Sequence, residues 1–394
     1  MTSADAVTNL PPLQPEQAQH GAVVLQALRE AIAAHGGWLA FDDYLRLVLY
    51  APGLGYYSAG SAKFGSGGDF VTAPELSGLF GGCVARQCAQ VLQLTGGDLL
   101  ELGAGTGALA AAVLPMLQQL QRLPDHYYIL EVSADLRRRQ QQRLAGLPQA
   151  LRSRLLWLDA LPAMPIDGMI VANEVADALP FKRFAIAGDA VLERGVALSA
   201  QGELIDADRP AAASLRAAVA HIAESLAEPW PDGYQSELCP MLQPWIGTLG
   251  AALGRGALLL IDYGLPRREY YHPQRSDGTL RCHFRQRAHD RPLLYPGLQD
   301  ISAWVDFTRV AEAAADAALE VAGYCTQAAF LLATGIEAQV ADSTATAQRL
   351  QRASEARTLL LPEAMGENFK VMALTRGIDA MLRGFEYQDL RRSL

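Results

Sequence analysis

The sequence predicts an α/β fold: a mostly parallel sheet with helical crossovers, an N-terminal helical cap and inserted β/α elements. Three observations carry this. Between residues 98 and 172 short apolar runs alternate with helix-forming stretches in the order β-α-β-α-β-β. A glycine-rich turn, Gly103-Ala104-Gly105-Thr106-Gly107, sits where the first strand gives way to the first helix. A strongly apolar run at 256–263 (GALLLIDY) reads as a further central strand. Strand–helix–strand units of this kind close into parallel sheets with right-handed crossovers.

The elements follow in order. Residues 1–20 are polar, contain Leu10-Pro11-Pro12 and are expected to form a loose tail. Residues 21–95 read as a helical cap with a glycine-rich lid. In it, 23–35 is an amphipathic helix stopped by Gly36-Gly37, 41–49 a short helix, 52–68 a loop with six glycines and 74–94 a helix. The core is expected over 96–375. Its first strands are placed at 98–102, 127–132, 155–158 and 168–172, and its helices at 107–120 and 134–144. The second helix is Arg/Gln-rich and is expected to turn a solvated face outward. Insertions are expected near 181–255 and 264–300. The first opens with short β-like runs between Gly188-Asp189, Gly195 and Gln201-Gly202, a meander pattern, and continues into helices at 211–227 and 241–253. Residues 264–300 lack periodicity and read as a long loop. A helix at 302–321, an apolar segment at 326–332, a helix near 336–359, a strand at 369–374 and a tail at 376–394 complete the chain.

Composition excludes several classes. Half of the 394 residues are hydrophobic and 19% are charged, which rules out a wholly disordered chain. The net charge of −9 argues against general nucleic-acid binding. Five cysteines, an odd number without a Cys-x-x-Cys pair, suggest neither a disulfide framework nor a zinc ribbon, so no metal site is expected. A reducing compartment fits. No apolar stretch of about 18 residues is present, so no membrane insertion is expected. Residues 1–20 show no signal or transit pattern, and a cytoplasmic location follows as the expectation. A homodimer is compatible with the sequence.

The glycine turn lets the backbone approach a ligand closely, and the helix behind it offers unpaired N–H groups. Gly103 to Ala108 also satisfies the degenerate dinucleotide fingerprint, and Glu131, at the end of the second strand, suits the ribose hydroxyls of either a dinucleotide or S-adenosylmethionine (SAM). Glu101 favours SAM. A carboxylate just before the glycines repels a pyrophosphate and attracts the ammonium and sulfonium charges of SAM.

Two further constellations stand out. Asn173-Glu174-Val175-Ala176-Asp177 follows an apolar strand, at the edge where parallel sheets hold ligands. If this segment turns helically, Glu174 and Asp177 share one side; alternatively Asp177 only caps a short helix. In Gly68-Asp69-Phe70-Val71-Thr72-Ala73-Pro74-Glu75 a glycine-rich loop runs into a helix start, with Thr72 as cap. A purely structural role for this segment is equally compatible with its residues.

Together these motifs resemble the MidA-type family, SAM-dependent methyltransferases related to the mitochondrial complex I assembly arginine methyltransferase. The resemblance runs from about Gly37 to Thr375. It rests on Tyr50-Ala51-Pro52-Gly53-Leu54-Gly55-Tyr56-Tyr57, the 68–75 segment, Glu101 to Gly107 and Glu131-Val132-Ser133. It continues through Ala172-Asn173-Glu174 to Pro180, Asp262-Tyr263-Gly264, and Pro296-Gly297 to Val305-Asp306-Phe307. It implies a Rossmann-like seven-strand methyltransferase core and symmetric arginine dimethylation of a respiratory complex I subunit. It implies that Glu101, Gly103, Ala104, Gly105, Gly107, Glu131 and Val132 hold SAM, with Asp69, Phe70 and Thr72 closing over it. Asp159 and Ala160 then contact adenine, and Asn173 and Glu174 sit at the methyl-transfer end. The chain departs from the family in Ala104 and Thr106, where proline and a basic residue are common, and in Trp304, where histidine is expected.

Arginine stays protonated, so its methylation is helped by a carboxylate that grips two N–H groups and turns the third nitrogen to the methyl. Glu174, assisted by Asp177, is the candidate; Tyr57, Tyr263 and His289 are weaker ones, each more often structural. Other readings are a SAM-binding assembly factor without turnover, a small-molecule methyltransferase and a nicotinamide oxidoreductase.

Overall fold

The computed structural model describes residues 10–58, 72–342 and 345–394. The chain forms two compact units. One comprises Val71–Asp177, Leu242–Pro266 and Val305–Leu394, and the other Met1–Phe70, Ala178–Met241 and Arg267–Trp304.

The first unit is built on seven long strands: β1 (Asp98–Leu102), β2 (Tyr127–Leu130), β3 (Leu155–Leu158), β4 (Ile166–Asn173), β5 (Leu253–Leu265), β6 (Glu320–Thr326) and β7 (Phe369–Arg376). They lie in the order β6-β7-β5-β4-β1-β2-β3, and a two-residue strand, Val305–Asp306, extends the far end of β5. The strands β3, β2, β1, β4 and β5 run parallel, and β7 runs antiparallel between β5 and β6. Met169, Ile170 and Val171 of β4 and Leu258, Leu259 and Ile261 of β5 are buried, as expected where helices cover both faces. Each such side chain contributes roughly 1.5–3 kcal/mol by leaving water. Helices α1 (Gly78–Thr95), α2 (Ala108–Gln119) and α3 (Ala134–Leu144) supply the covering layers together with α4 (Leu242–Ala252) and α5 (Phe307–Asp316). A Cβ added at Gly81 of α1 would stand 2.4 Å from the Ala112 Cβ of α2, so this glycine sets how closely the two helices pack.

The second unit holds the expected meander. Lys182–Ala187, Ala190–Leu198 and Leu204–Pro210 pair antiparallel, joined by turns at Gly188 and Gly202. Trp38–Ala40 and Gln235–Leu238 complete a five-stranded sheet. Its apolar core gathers Val24, Leu28 and Ile32 of the N-terminal helix with Phe41, Tyr44, Phe181 and Val196.

Several expectations are corrected. The N-terminal helix spans Pro15–Ala34 and opens well before Val23, with proline in its first turn where the missing N–H costs nothing. Ser77 breaks the helix expected over 74–94 into Ala73–Leu76 and α1. Residues 264–300 are not one loop: Arg267–Tyr270 is helical, and Arg281–Phe284, Arg287–His289 and Asp300–Ser302 form a three-stranded sheet. The alanine-rich helix expected to reach Val321 stops at Asp316, Ala318 adopts φ +54°, and Glu320–Thr326 becomes β6. There Tyr324 and Cys325 are buried against the sheet, a tertiary gain that outweighs helical propensity.

Candidate active site

The parallel register brings the ends of four strands to one level. Glu101 lies beside Ile129 on one flank and Val171 on the other, and Ile261 lies beside Asn173. The predicted acids therefore gather at the carboxyl edge of one sheet, where open α/β folds hold ligands.

The turn after β1 carries left-handed glycines at Gly103, Gly105 and Gly107, with φ of +59°, +53° and +84°. Side chains are disfavoured there. Among the described residues nothing lies within 4 Å of a Cβ added at Gly105, whereas one at Gly103 would stand 3.1 Å from Val175 Cγ2. Thr106 is tied to Glu75, and the Arg143 guanidinium bridges to Glu75 Oε1 at 2.6 Å and Oε2 at 2.9 Å. The short helix opening after Thr72 is thus anchored to the glycine turn. Thr72 occupies its N-cap position but makes no side-chain capping bond. Asp69 and Phe70 lie outside the described residues.

Glu101 is buried, and the Tyr127 hydroxyl donates to its Oε2 at 2.7 Å. Burial pushes its carboxyl up to about 7, against the pull of Tyr127 and with help from the nearby charge of Glu131. A cation arriving here recovers what desolvation costs. Glu131, also buried and raised by burial, accepts the Ser133 N–H on Oε1 at 2.9 Å and the Gln140 amide on Oε2 at 3.0 Å. The neighbouring Val132 is 83% exposed, an apolar side chain beside the acid that no described residue covers. The exposed Asp159 pairs with Arg137 at 2.8 Å, and Ala160 beside it is exposed.

At the other end of the site Glu174 adopts a left-handed φ of +54°, and its N–H donates to the Ile261 carbonyl at 2.9 Å. Residues 174–180 form turns and no helix, which overturns both the shared helical face of Glu174 and Asp177 and the capping role of Asp177. Asp262 holds the turn instead. Its Oδ2 accepts N–H groups from Val175 (3.2 Å), Ala176 (2.9 Å) and Asp177 (3.3 Å), and its Oδ1 that of Tyr263 (2.9 Å). Burial and the charge of Glu174 raise the Asp262 carboxyl to about 7 despite these donors. Glu174 and Asp177 still face common ground. After burial, Glu174, Asp177 and Asp262 all push the Tyr263 phenol upward, and the Tyr263 ring packs on Phe369 at 3.8 Å. Asn173 donates from Nδ2 to Glu174 Oε1 at 3.1 Å, while its buried Oδ1 has no hydrogen-bond partner among the described residues.

These features fit SAM. The open glycine turn, the uncovered Val132, the two buried acids and the orphan Asn173 acceptor supply what a nucleoside with an attached ammonium needs. Tyr57 and His289 belong to the other unit. The Tyr57 hydroxyl donates to Asp300 at 2.6 Å, and His289 is buried with Nδ1 accepting the Arg291 N–H at 3.3 Å. The sequence reading gave no role to Asp262, Tyr127 or Gln140. The signal for Asp262 was an acid inside the apolar run at 256–263, which burial obliges to find donors.

Comparison with known proteins agrees. A family profile described as "Putative S-adenosyl-L-methionine-dependent methyltransferase" matches residues 83–325. The crystal structure of a Burkholderia thailandensis protein bound to S-adenosyl-homocysteine is similar, with 43% identity, a TM-score of 0.93 and coverage of 98% of this chain and 100% of that one. The protein arginine methyltransferase NDUFAF7 of Danio rerio is 27% identical over 89% of this chain and 86% of its own length. Its Drosophila melanogaster homologue is 29% identical over 93% and 89%. The chain belongs to this MidA-type family of SAM-dependent methyltransferases, and SAM is its cofactor.

Proposed function

We propose that the protein methylates an arginine side chain of a protein substrate, by dimethylation of an arginine on a respiratory complex I subunit or a similar protein, in the cytoplasm. The observation that carries this reading is the Glu174 carboxylate, held beside Asn173 at the end of β4 by the Asp262 pin. The arginine methyltransferase names of the NDUFAF7 relatives support the acceptor class. Five free thiols are in keeping with a reducing compartment.

Bound SAM supplies an electrophilic methyl on a sulfonium. The chain's residues position the acceptor. Glu174 grips two N–H groups of the planar guanidinium and leaves the third nitrogen facing the donor. Its left-handed backbone fixes the carboxylate, and Asp262, spent on four backbone N–H groups, keeps that backbone in place. Glu174 and Asp177 stabilise the positive charge on the alkylated nitrogen until its proton departs to solvent. Mass spectrometry of complex I subunits from cells with and without the gene tests the target. A dimethylarginine that disappears on deletion and returns with wild type but not with Glu174→Gln is the expected result. Unchanged methylation across all complex I subunits would overturn it.

A further inference from the structure

The Arg/Gln-rich helix α3 is only half solvated. Arg138, Gln141 and Gln142 face water, but Arg137, Gln140 and Arg143, spaced three apart on one side, each reach a different part of the donor site. Arg137 pairs with Asp159, and Arg143 ties Glu75. Gln140 lies between them and is fully buried. Its Nε2 donates to the Gly105 carbonyl at 2.9 Å and to Glu131 Oε2 at 3.0 Å, and its Oε1 accepts the Trp157 indole N–H at 2.9 Å. Two acceptors on one side and one donor on the other fix which way the amide points. The backbone is equally close: a Cβ added at Gly107 would stand 3.4 Å from Gln140 Cα.

We infer that Gln140 is a positioning residue for the donor nucleoside: one amide locks the Glu131 carboxylate and the Gly105 carbonyl into a single geometry, so that Glu131 meets the ribose hydroxyls. The Glu131 carboxylate is held on both oxygens by the fold, by Ser133 and by Gln140. Without the amide, Oε2 loses the Gln140 donor and the acid is free to tilt. The Trp157 indole holds the amide in turn, from strand β3. The inference rests on the SAM site and is independent of the acceptor proposed above.

The test is the ribose preference of the full-length protein, measured calorimetrically with S-adenosyl-homocysteine and its 2′,3′-dideoxy analogue. Gln140→Met keeps the volume and removes the hydrogen bonds. It is expected to weaken S-adenosyl-homocysteine about tenfold and to weaken the dideoxy analogue much less, so that the preference for the hydroxylated ligand falls by roughly threefold or more. A packing role would weaken both ligands equally, and an unchanged preference overturns the inference. Gln140→Glu gives the same readout should the methionine variant not fold. Its carboxylate opposes Glu131, so the preference falls at least as far, and a preference equal to wild type overturns the inference there too.

Discussion

The Asp262 carboxylate lies 2.9 Å from the backbone nitrogen of Ala176, and accepts the N–H groups on either side of it as well. A buried acid at the end of one strand thereby shapes the turn that follows another. The left-handed Glu174 costs about 1–3 kcal/mol, and hydrogen bonds to a charged acceptor, each contributing about 1.5–3 kcal/mol, offset that cost.

Asp262→Asn should release this turn. The amide turns an N–H toward backbone donors, and the expected result is a loss of about 2–4 kcal/mol in stability. Turnover should fall about a hundredfold or more while S-adenosyl-homocysteine affinity falls much less, because Glu101 and Glu131 stand at the ends of other strands and make no bond to Asp262. Denaturant titration, calorimetry and single-turnover methylation together check this.

Glu174→Gln should leave SAM binding intact and reduce transfer by about a hundredfold or more, since a neutral amide neither pairs with a guanidinium nor stabilises its charge. Equal turnover by variant and wild type on a validated substrate would remove Glu174 from the chemistry.

Gly103→Val places a branched side chain at φ +59° with its Cβ 3.1 Å from Val175. The left-handed backbone alone costs about 1–2 kcal/mol, and the turn is expected to rearrange. The protein should remain folded by circular dichroism and lose S-adenosyl-homocysteine binding. Unchanged affinity would move the pocket elsewhere.

Glu101 predicts a pH dependence. Its carboxyl stands at about 7 in the fold against an ordinary value of 4.5. The folded protein therefore holds a proton that the unfolded chain releases. This contribution to stability is fully present below pH 4.5 and is lost as pH rises through about 7. Cation binding has the opposite sign, because SAM prefers the ionised carboxylate: its affinity should rise as pH passes upward through about 7. Tyr127→Phe removes the hydroxyl that favours ionisation and should shift this transition to higher pH. Calorimetry across pH 6–8.5 in buffers of different ionisation enthalpy reads the released proton directly.

The candidate donor half of the site was legible as strand, turn and helix because it is local. Glu101, the glycines, Glu131 and the first four strands lie in one stretch whose apolar periods and turn residues determine strand, turn and helix by short-range sterics, and they were placed to within a few residues. The comparisons bear out the methyltransferase family and the cofactor that this stretch suggested. The acceptor half was less so. Glu174 and Asp177 suggested a helix, and only Asp262, far along the chain, turns the segment another way. Gln140 looked like one more solvated residue in a polar run until Gly105, Glu131 and Trp157 closed around it. Glu320–Thr326 followed an alanine-rich helix and became a strand because β7 offered it a partner. Backbone period and turn chemistry are written residue by residue. The partner of a buried polar group is chosen by whatever the fold brings within 3 Å of it, and no local pattern carries that distance.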